Sequence, residues 1–280
     1  MPITVAIVAP GNMGAGVGQR LHEHGATVLT SLAGRSKAST ERAAKAGMRT
    51  ADDAQLMLAD IFLSIVPPGE ALALARRFAP QLERANKKPI YVECNAVNPT
   101  TMTGIADVVS ATGAHFVGGG IIGPPPVPSS ANTKLYVSGP AAQEILKLNE
   151  YGLIVRLLEG SLTAASALKM SYAGITKGFT ALAAAMMLAA TREGSAEALK
   201  QELGESQAPL QAWLARQIPP MYGKAYRWVA ELDEIAGFVG DDYPEHDIFA
   251  ASARLYERLA YDLEGNKDEI GALDRFVQKS

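Results

Sequence analysis

The narrowest chemistry in this chain lies in Thr4-Val-Ala-Ile-Val-Ala9-Pro10-Gly11-Asn12-Met13-Gly14. An apolar run enters a turn of small residues and leaves into a helical stretch. Ala9, Gly11 and Gly14 have the spacing of G-x-G-x-x-G, with alanine at the first position. Strand, tight turn and helix N-terminus in that order aim backbone N–H groups and a positive dipole end at one point, which suits a pyrophosphate. Gly11 lets the backbone approach the phosphates, and Gly14 lets the helix press on its strand. Gly18, four residues on, keeps that helix face bare for a further turn. Ala9, Pro10, Gly11, Asn12, Met13 and Gly14 are the candidate dinucleotide cradle.

An NAD site of this type places an acid about 20 residues on, at the end of the second strand, for the ribose 2′-OH. Here the strand Thr27–Ser31 opens into Leu32-Ala33-Gly34-Arg35-Ser36-Lys37, and no acid lies between Glu23 and Glu41. Arg35 offers a charge-assisted fork, Lys37 a point charge and Ser36 a hydroxyl, a set that suits a 2′-phosphate. The expected cofactor is NADP(H).

These motifs need a frame, and strands alternate with helices through the first half. Strands are expected at Ile3–Val8, Thr27–Ser31, Met48–Thr50, Ile61–Ile65, Pro89–Cys94, Ala114–Gly118 and Thr133–Ser138. Helices fall at Met13–His24, Ala38–Ala46, from Glu70 to about Glu83, and after Asn98-Pro99, where Asn is the N-cap and Pro the first helical residue. Alternation of this kind predicts an α/β fold, a doubly wound parallel sheet of the Rossmann type. The pattern turns all-helical near Gly160. A long helix is expected from about Leu162 to Arg192, then shorter ones near 195–203, 206–216, 220–238 and 246–262. The expected domains are therefore 1–160, binding NADP, and 161–280, an all-α C-terminal domain for substrate and dimerisation.

At 280 residues there is room for both. A net charge of −3 argues against a nucleic-acid partner. A single cysteine, Cys94, excludes an internal disulfide framework and fits a reducing compartment. No basic-then-apolar leader precedes the first strand. The most apolar run, Ala181–Ala190, is short against the roughly 20 residues of a membrane span. A cytoplasmic enzyme with no membrane partner is the expectation. The four histidines have no metal-ligand spacing, so no metal is expected.

The order of motifs resembles the β-hydroxyacid dehydrogenase family, which includes 3-hydroxyisobutyrate dehydrogenase and the 6-phosphogluconate dehydrogenase type of fold. Ala9-Pro10-Gly11-Asn12-Met13-Gly14 is similar to its G-L-G-N-M-G, and Gly34-Arg35-Ser36 to the N-R-T of NADP users. Ala59–Pro67 resembles the strand whose end faces the cofactor, which assigns Val66, Pro67 and Pro68 to that site. Val92–Pro99 resembles the segment beside the nicotinamide, which adds Asn95. Gly160 and Lys169 stand as the G…K of the interdomain helix, where the family keeps its catalytic lysine. The resemblance also implies a homodimer with helical domains packed together.

The departures concern substrate. The family's K-x-x-N-N becomes Lys169-Met170-Ser171-Tyr172-Ala173, and its D-x-P-V-S-G-G becomes Gly118-Gly119-Gly120-Ile121-Ile122-Gly123-Pro124. Ile122 and Gly123 stand at substrate-binding positions without the serine hydroxyl, although the Gly119 and Gly120 amides could still serve. A carboxylate could instead be anchored by Asn95 or Lys177. By spacing alone Lys169 is a surface lysine or a proton donor, partly desolvated between Leu168 and Met170; the resemblance makes it catalytic. Tyr172, at i+3, is a packing residue or a proton relay, and Lys177 is a rival donor. The expected activity is NADP(H)-dependent interconversion of a small carbonyl compound and its alcohol. The alternatives are an imine reductase and a non-catalytic NADPH-binding regulator.

Overall fold

The computed structural model describes residues 2–127 and 132–278. The chain forms two compact units, Met1–Met170 and Ser171–Ser280.

The first unit is built on eight strands: β1 (Thr4–Val8), β2 (Thr27–Thr30), β3 (Arg49–Thr50), β4 (Ile61–Ser64), β5 (Ile90–Glu93), β6 (Phe116–Ile122), β7 (Lys134–Ser138) and β8 (Ile154–Leu157). They lie in the order β3-β2-β1-β4-β5-β6-β7-β8. All neighbours are parallel except β6 and β7. Helices α1 (Asn12–Glu23), α2 (Lys37–Lys45), α3 (Asp53–Leu56), α4 (Ala71–Arg84) and α5 (Pro99–Ser110) join the parallel strands. Both faces of the sheet are covered, so its central strands read as unbroken apolar runs. Alternate residues feed two cores: Val5, Ile7, Leu63 and Val92 on one face, Ala6, Phe62, Tyr91 and Phe116 on the other. On the second face Tyr91 stacks between Phe62 (5.0 Å) and Phe116 (6.0 Å).

Three features depart from the sequence expectation. The link from β6 to β7 is too short for a crossover helix, so the chain reverses and the pair is antiparallel. β6 also runs four residues beyond Gly118. After β7, a 3₁₀ stretch (Ala142–Tyr151) leads into the unforeseen strand β8, which Asn149 fastens by bonds to both the N–H and the carbonyl of Val155 (2.8 and 3.3 Å).

The division of the chain falls ten residues after the expected position 160. The cause is local. The first turns of α6 (Ala164–Ala173) are tied to the sheet by Ser138, whose Oγ donates to Leu162 O (2.8 Å) and accepts from Ala165 N (3.0 Å). Ser166 Oγ donates to the Val97 carbonyl as well.

The second unit is helical. A π-turn (Gly174–Gly178) leads into α7 (Phe179–Arg192), followed by α8 (Ala196–Ser206), α9 (Ala208–Tyr222), α10 (Ala225–Val239), α11 (His246–Glu264) and an unforeseen α12 (Asp268–Val277). Trp228 of α10 meets Tyr256 of α11 edge-on at 5.1 Å. The apolar run read as ten residues belongs to one helix of 29, Ala164–Arg192. That helix is long and apolar enough to cross a membrane, and 44% of its most apolar window is buried within the protein.

Candidate functional site

Because β1, β4, β5 and β6 are mutually parallel in order, their C-terminal ends share one edge of the sheet. Ala9, Val66, Asn95 and Ile121 all lie at or just beyond those ends. In α/β sheets that edge is where ligands bind.

Ala9 takes the left-handed conformation (φ +68°), which costs an L-residue about 1–2 kcal/mol. The turn then closes as Gly11 N–H donates to Ala9 O at 2.8 Å. A Cβ at Gly14 would sit 2.5 Å from that same oxygen, so glycine is required for α1 to reach its strand. A Cβ at Gly11 would meet nothing within 4 Å, leaving open space where a phosphate would approach. At Gly18 the bare helix face receives the Met48 side chain, 3.0 Å from where a Cβ would stand. The first turn of α1 carries no acid and Gly11 makes no side-chain cap, whereas α2, α3 and α5 are capped by Ser36, Asp52 and Asn98. The orphan N–H groups of α1 are thus those an anion can take. This cradle fits a dinucleotide.

The basic turn is partly committed elsewhere. Ser36 Oγ accepts from Ser39 N (3.3 Å) as the cap of α2. Lys37 is exposed and lies 3.8 Å from Glu41. Arg35 follows Gly34, whose φ is +70°. Arg42 escaped the sequence reading. Its Nε donates to Pro10 O (3.1 Å) and its Nη2 to Ser39 Oγ (3.0 Å), joining the glycine turn to the basic turn. The only available signal was its position one helical turn beyond Ser39.

At the ends of β4 and β5, Asn95 is a buried clamp. Its Oδ1 accepts from Val66 N (2.7 Å), its Nδ2 donates to Ser64 Oγ (3.0 Å), and its backbone N–H donates to Glu93 Oε1 (2.9 Å). Expected beside the nicotinamide or as a carboxylate anchor, its amide here holds the strand ends together. Pro67 and Pro68 follow, Pro68 opening a 3₁₀ turn (Pro68–Glu70). Glu93 was also missed. It is wholly buried, and burial pushes its carboxyl up to about 7, against the pull of the Asn95 N–H.

Lys169 Nζ donates to Ile121 O at 2.7 Å, which sets the ammonium on the C-terminal end of β6. The Gly118–Gly120 run explains how. A Cβ at Gly118 would strike Leu162 O, and one at Gly120 would come within 2.8 Å of Ala165 O and 3.1 Å of Lys169 Cβ. Gly118 and Gly120 thus let α6 and the segment before it press onto β6. Ile122 ends β6 opposite Lys134, and Gly123 (φ +127°) lies against Asn132 and Thr133. Thr133 Oγ1 donates to the Pro124 carbonyl, so the turn closes on itself. Tyr172 is half exposed.

Lys177 belongs to the second unit and is engaged there. Its ammonium pairs with Glu231 and lies 5.3 Å from the Trp228 ring centroid, while its carbonyl accepts from Tyr256 OH (2.6 Å). Burial lowers its pKa in spite of Glu231. Its reading as a substrate anchor or rival donor is corrected, because its charge is already spent on a carboxylate. Among the described residues, no cluster of His, Cys, Asp or Glu could hold a metal.

Residues 4–147, just over half of the chain, match the NAD binding domain of 6-phosphogluconate dehydrogenase, and residues 190–259 match a domain of unknown function, DUF1932. The chain belongs to the β-hydroxyacid dehydrogenase family as a divergent member. A 28.5 kDa protein encoded in the 7S RNA 5′ region of Methanothermus fervidus is 28% identical over 182 residues, 64% of this chain and 68% of that one. A conserved protein with structural similarity to 3-hydroxyacid dehydrogenases matches at 26% identity and a TM-score of 0.70, covering 97% of this chain and 99% of the other. Mycobacterium tuberculosis 3-hydroxyisobutyrate dehydrogenase has the same fold (17% identity, TM-score 0.70, 94% and 95% covered). So has an Aspergillus terreus reductive aminase in complex with NADPH (15%, 0.57, 99% and 100% covered). The fold and family make this an oxidoreductase of the nicotinamide-dependent, hydroxyacid dehydrogenase-like type.

Proposed function

We propose that this chain is an NADP(H)-dependent oxidoreductase that interconverts a small carbonyl compound and its alcohol. The observation that carries the reading is the Lys169 ammonium on Ile121 O, at the sheet edge shared with the glycine turn. The cofactor, when bound, supplies or accepts a hydride. The α1 N–H groups hold its pyrophosphate, and Arg35 and Lys37 hold the 2′-phosphate that distinguishes NADP. In reduction, Lys169 donates a proton to the oxygen that becomes the alcohol; in oxidation it takes that proton back. Tyr172 supports this as a relay.

The β6–β7 turn lacks the hydroxyl that would receive a carboxylate, and Pro124 lacks an N–H. A less acidic or more apolar substrate than 3-hydroxyisobutyrate follows. The same feature favours the second reading, imine reduction, in which Lys169 would face C=N. The chain is read as a cytoplasmic homodimer, without nucleic-acid or membrane partners. The homodimer is supported by Phe179, Leu182 and Met186 of α7, which are 40–57% exposed apolar side chains on one helix. The test is NADPH oxidation with a panel of aldehydes, 3-keto acids, their methyl esters and cyclic imines. Turnover with carbonyls supports the first reading and turnover with imines alone the second. Binding without any turnover supports a regulator.

A further inference from the structure

One buried ionisable group takes no part in the chemistry described above. Glu93 is the last residue of β5, with no exposed surface, and it lies in register between Ser64 of β4 and Gly118 of β6. One carboxyl oxygen accepts the Asn95 N–H, and the Ser64 hydroxyl and the Asn95 side chain also pull toward the charged form, while Oε2 has no hydrogen-bond partner among the described residues. Its side chain shares the face of Tyr91, the face that α4 and α5 cover with Phe78, Met102 and Ile105. The titratable neighbours are Tyr91 of its own strand and Cys94 just after it, both themselves pushed upward by burial. No lysine, arginine or histidine among the described residues acts on it. Its neighbour Asn95 holds the Val66 N–H and the Ser64 hydroxyl, so Glu93 stands one bond behind the β4 and β5 ends.

We propose that Glu93 is a positioning residue for the cofactor edge, that it acts there as the neutral acid, and that its ionisation weakens nicotinamide-cofactor binding. A buried carboxylate with one oxygen unpaired is a costly charge. Set behind the edge that receives a pyrophosphate, it also repels that anion through a poorly screening interior. The neutral acid avoids both effects and keeps the Asn95 N–H as its donor. This rests on the reading that a nicotinamide cofactor binds at this edge.

If only the protonated form is competent, apparent affinity falls with its fraction, up to about tenfold for each pH unit above about 7. The test is the Kd of NADH and NADPH from pH 6 to pH 9 for the wild type and Glu93→Gln. NADH is the critical probe, because it lacks the 2′-phosphate that titrates near pH 6. The expected result is NADH binding that weakens above pH 7 in the wild type and stays constant in Glu93→Gln. Identical pH profiles for the two proteins would overturn the positioning role while leaving the cofactor reading intact. A wild type that binds neither cofactor at any pH would overturn both. If the variant does not fold, carboxyl-carbon NMR of the wild type decides. One glutamate titrating near 7 is expected, and all glutamates titrating below about 5 would refute the proposal.

Discussion

Lys169 and Lys177 sit eight residues apart on one helix, yet their surroundings have almost nothing in common. Lys169 lies where α6 is pressed onto a glycine strand, and its ammonium touches a backbone carbonyl at the sheet edge. Lys177 lies within a π-turn, with its ammonium paired to Glu231 and set over the Trp228 ring. The first arrangement leaves a proton donor beside a ligand-binding edge. The second leaves a buried ion pair, whose removal of one partner is expensive and whose presence performs no chemistry. A lysine's role is set by what faces it, and helical spacing alone cannot supply that.

The largest expected effect separates the two directly. Lys169→Ala should lose about 10²–10⁴ in turnover, the usual scale for a lost general acid. NADPH affinity and urea stability should stay near wild type. Lys177→Met should do the reverse, since Glu231 loses the ammonium of its buried ion pair. A loss of about 3–5 kcal/mol in urea unfolding is expected, largely recovered by pairing it with Glu231→Leu. A Lys177→Met protein as stable as wild type would break the comparison.

Next in size is cofactor discrimination. Arg35→Ala removes a charged hydrogen bond, of about 1.5–3 kcal/mol, and should weaken NADPH binding roughly 10- to 100-fold. NADH binding should hardly move; an equal loss for both would take Arg35 away from the 2′-phosphate. The smallest contrast lies along α1. Gly18→Ala meets only the flexible Met48 side chain and should cost less than about 1 kcal/mol, whereas Gly14→Ala drives a Cβ into the Ala9 carbonyl and should cost about 1–3 kcal/mol. Thermal melts of the two variants check this.

Much of the first unit was legible because its elements announce themselves locally. The Ala9–Gly14 turn, the Asn98-Pro99 start of α5 and the unbroken apolar strands each carry their own signal. β8 did not, because Arg156 breaks the apolar run and the strand is fixed by Asn149 from a neighbouring 3₁₀ stretch. The packing role of Gly118 and Gly120 was hidden for a related reason. They answer to the Leu162 and Ala165 carbonyls, more than 40 residues away in sequence, which no short window contains. Ser36, Asn95 and Lys177 were recognised as chemically able, but their partners Ser39, Val66 and Glu231 decide whether that ability is free for a ligand. Glu93 and Arg42 became visible only through what they touch.

The most direct test of the account is the structure of the wild-type protein with NADPH bound. The pyrophosphate is predicted on the N–H groups of Asn12–Gly14, the 2′-phosphate against Arg35, and the reactive face of the nicotinamide toward Lys169 Nζ. A cofactor whose pyrophosphate lies away from the glycine turn, or whose nicotinamide lies out of reach of Lys169, would contradict it.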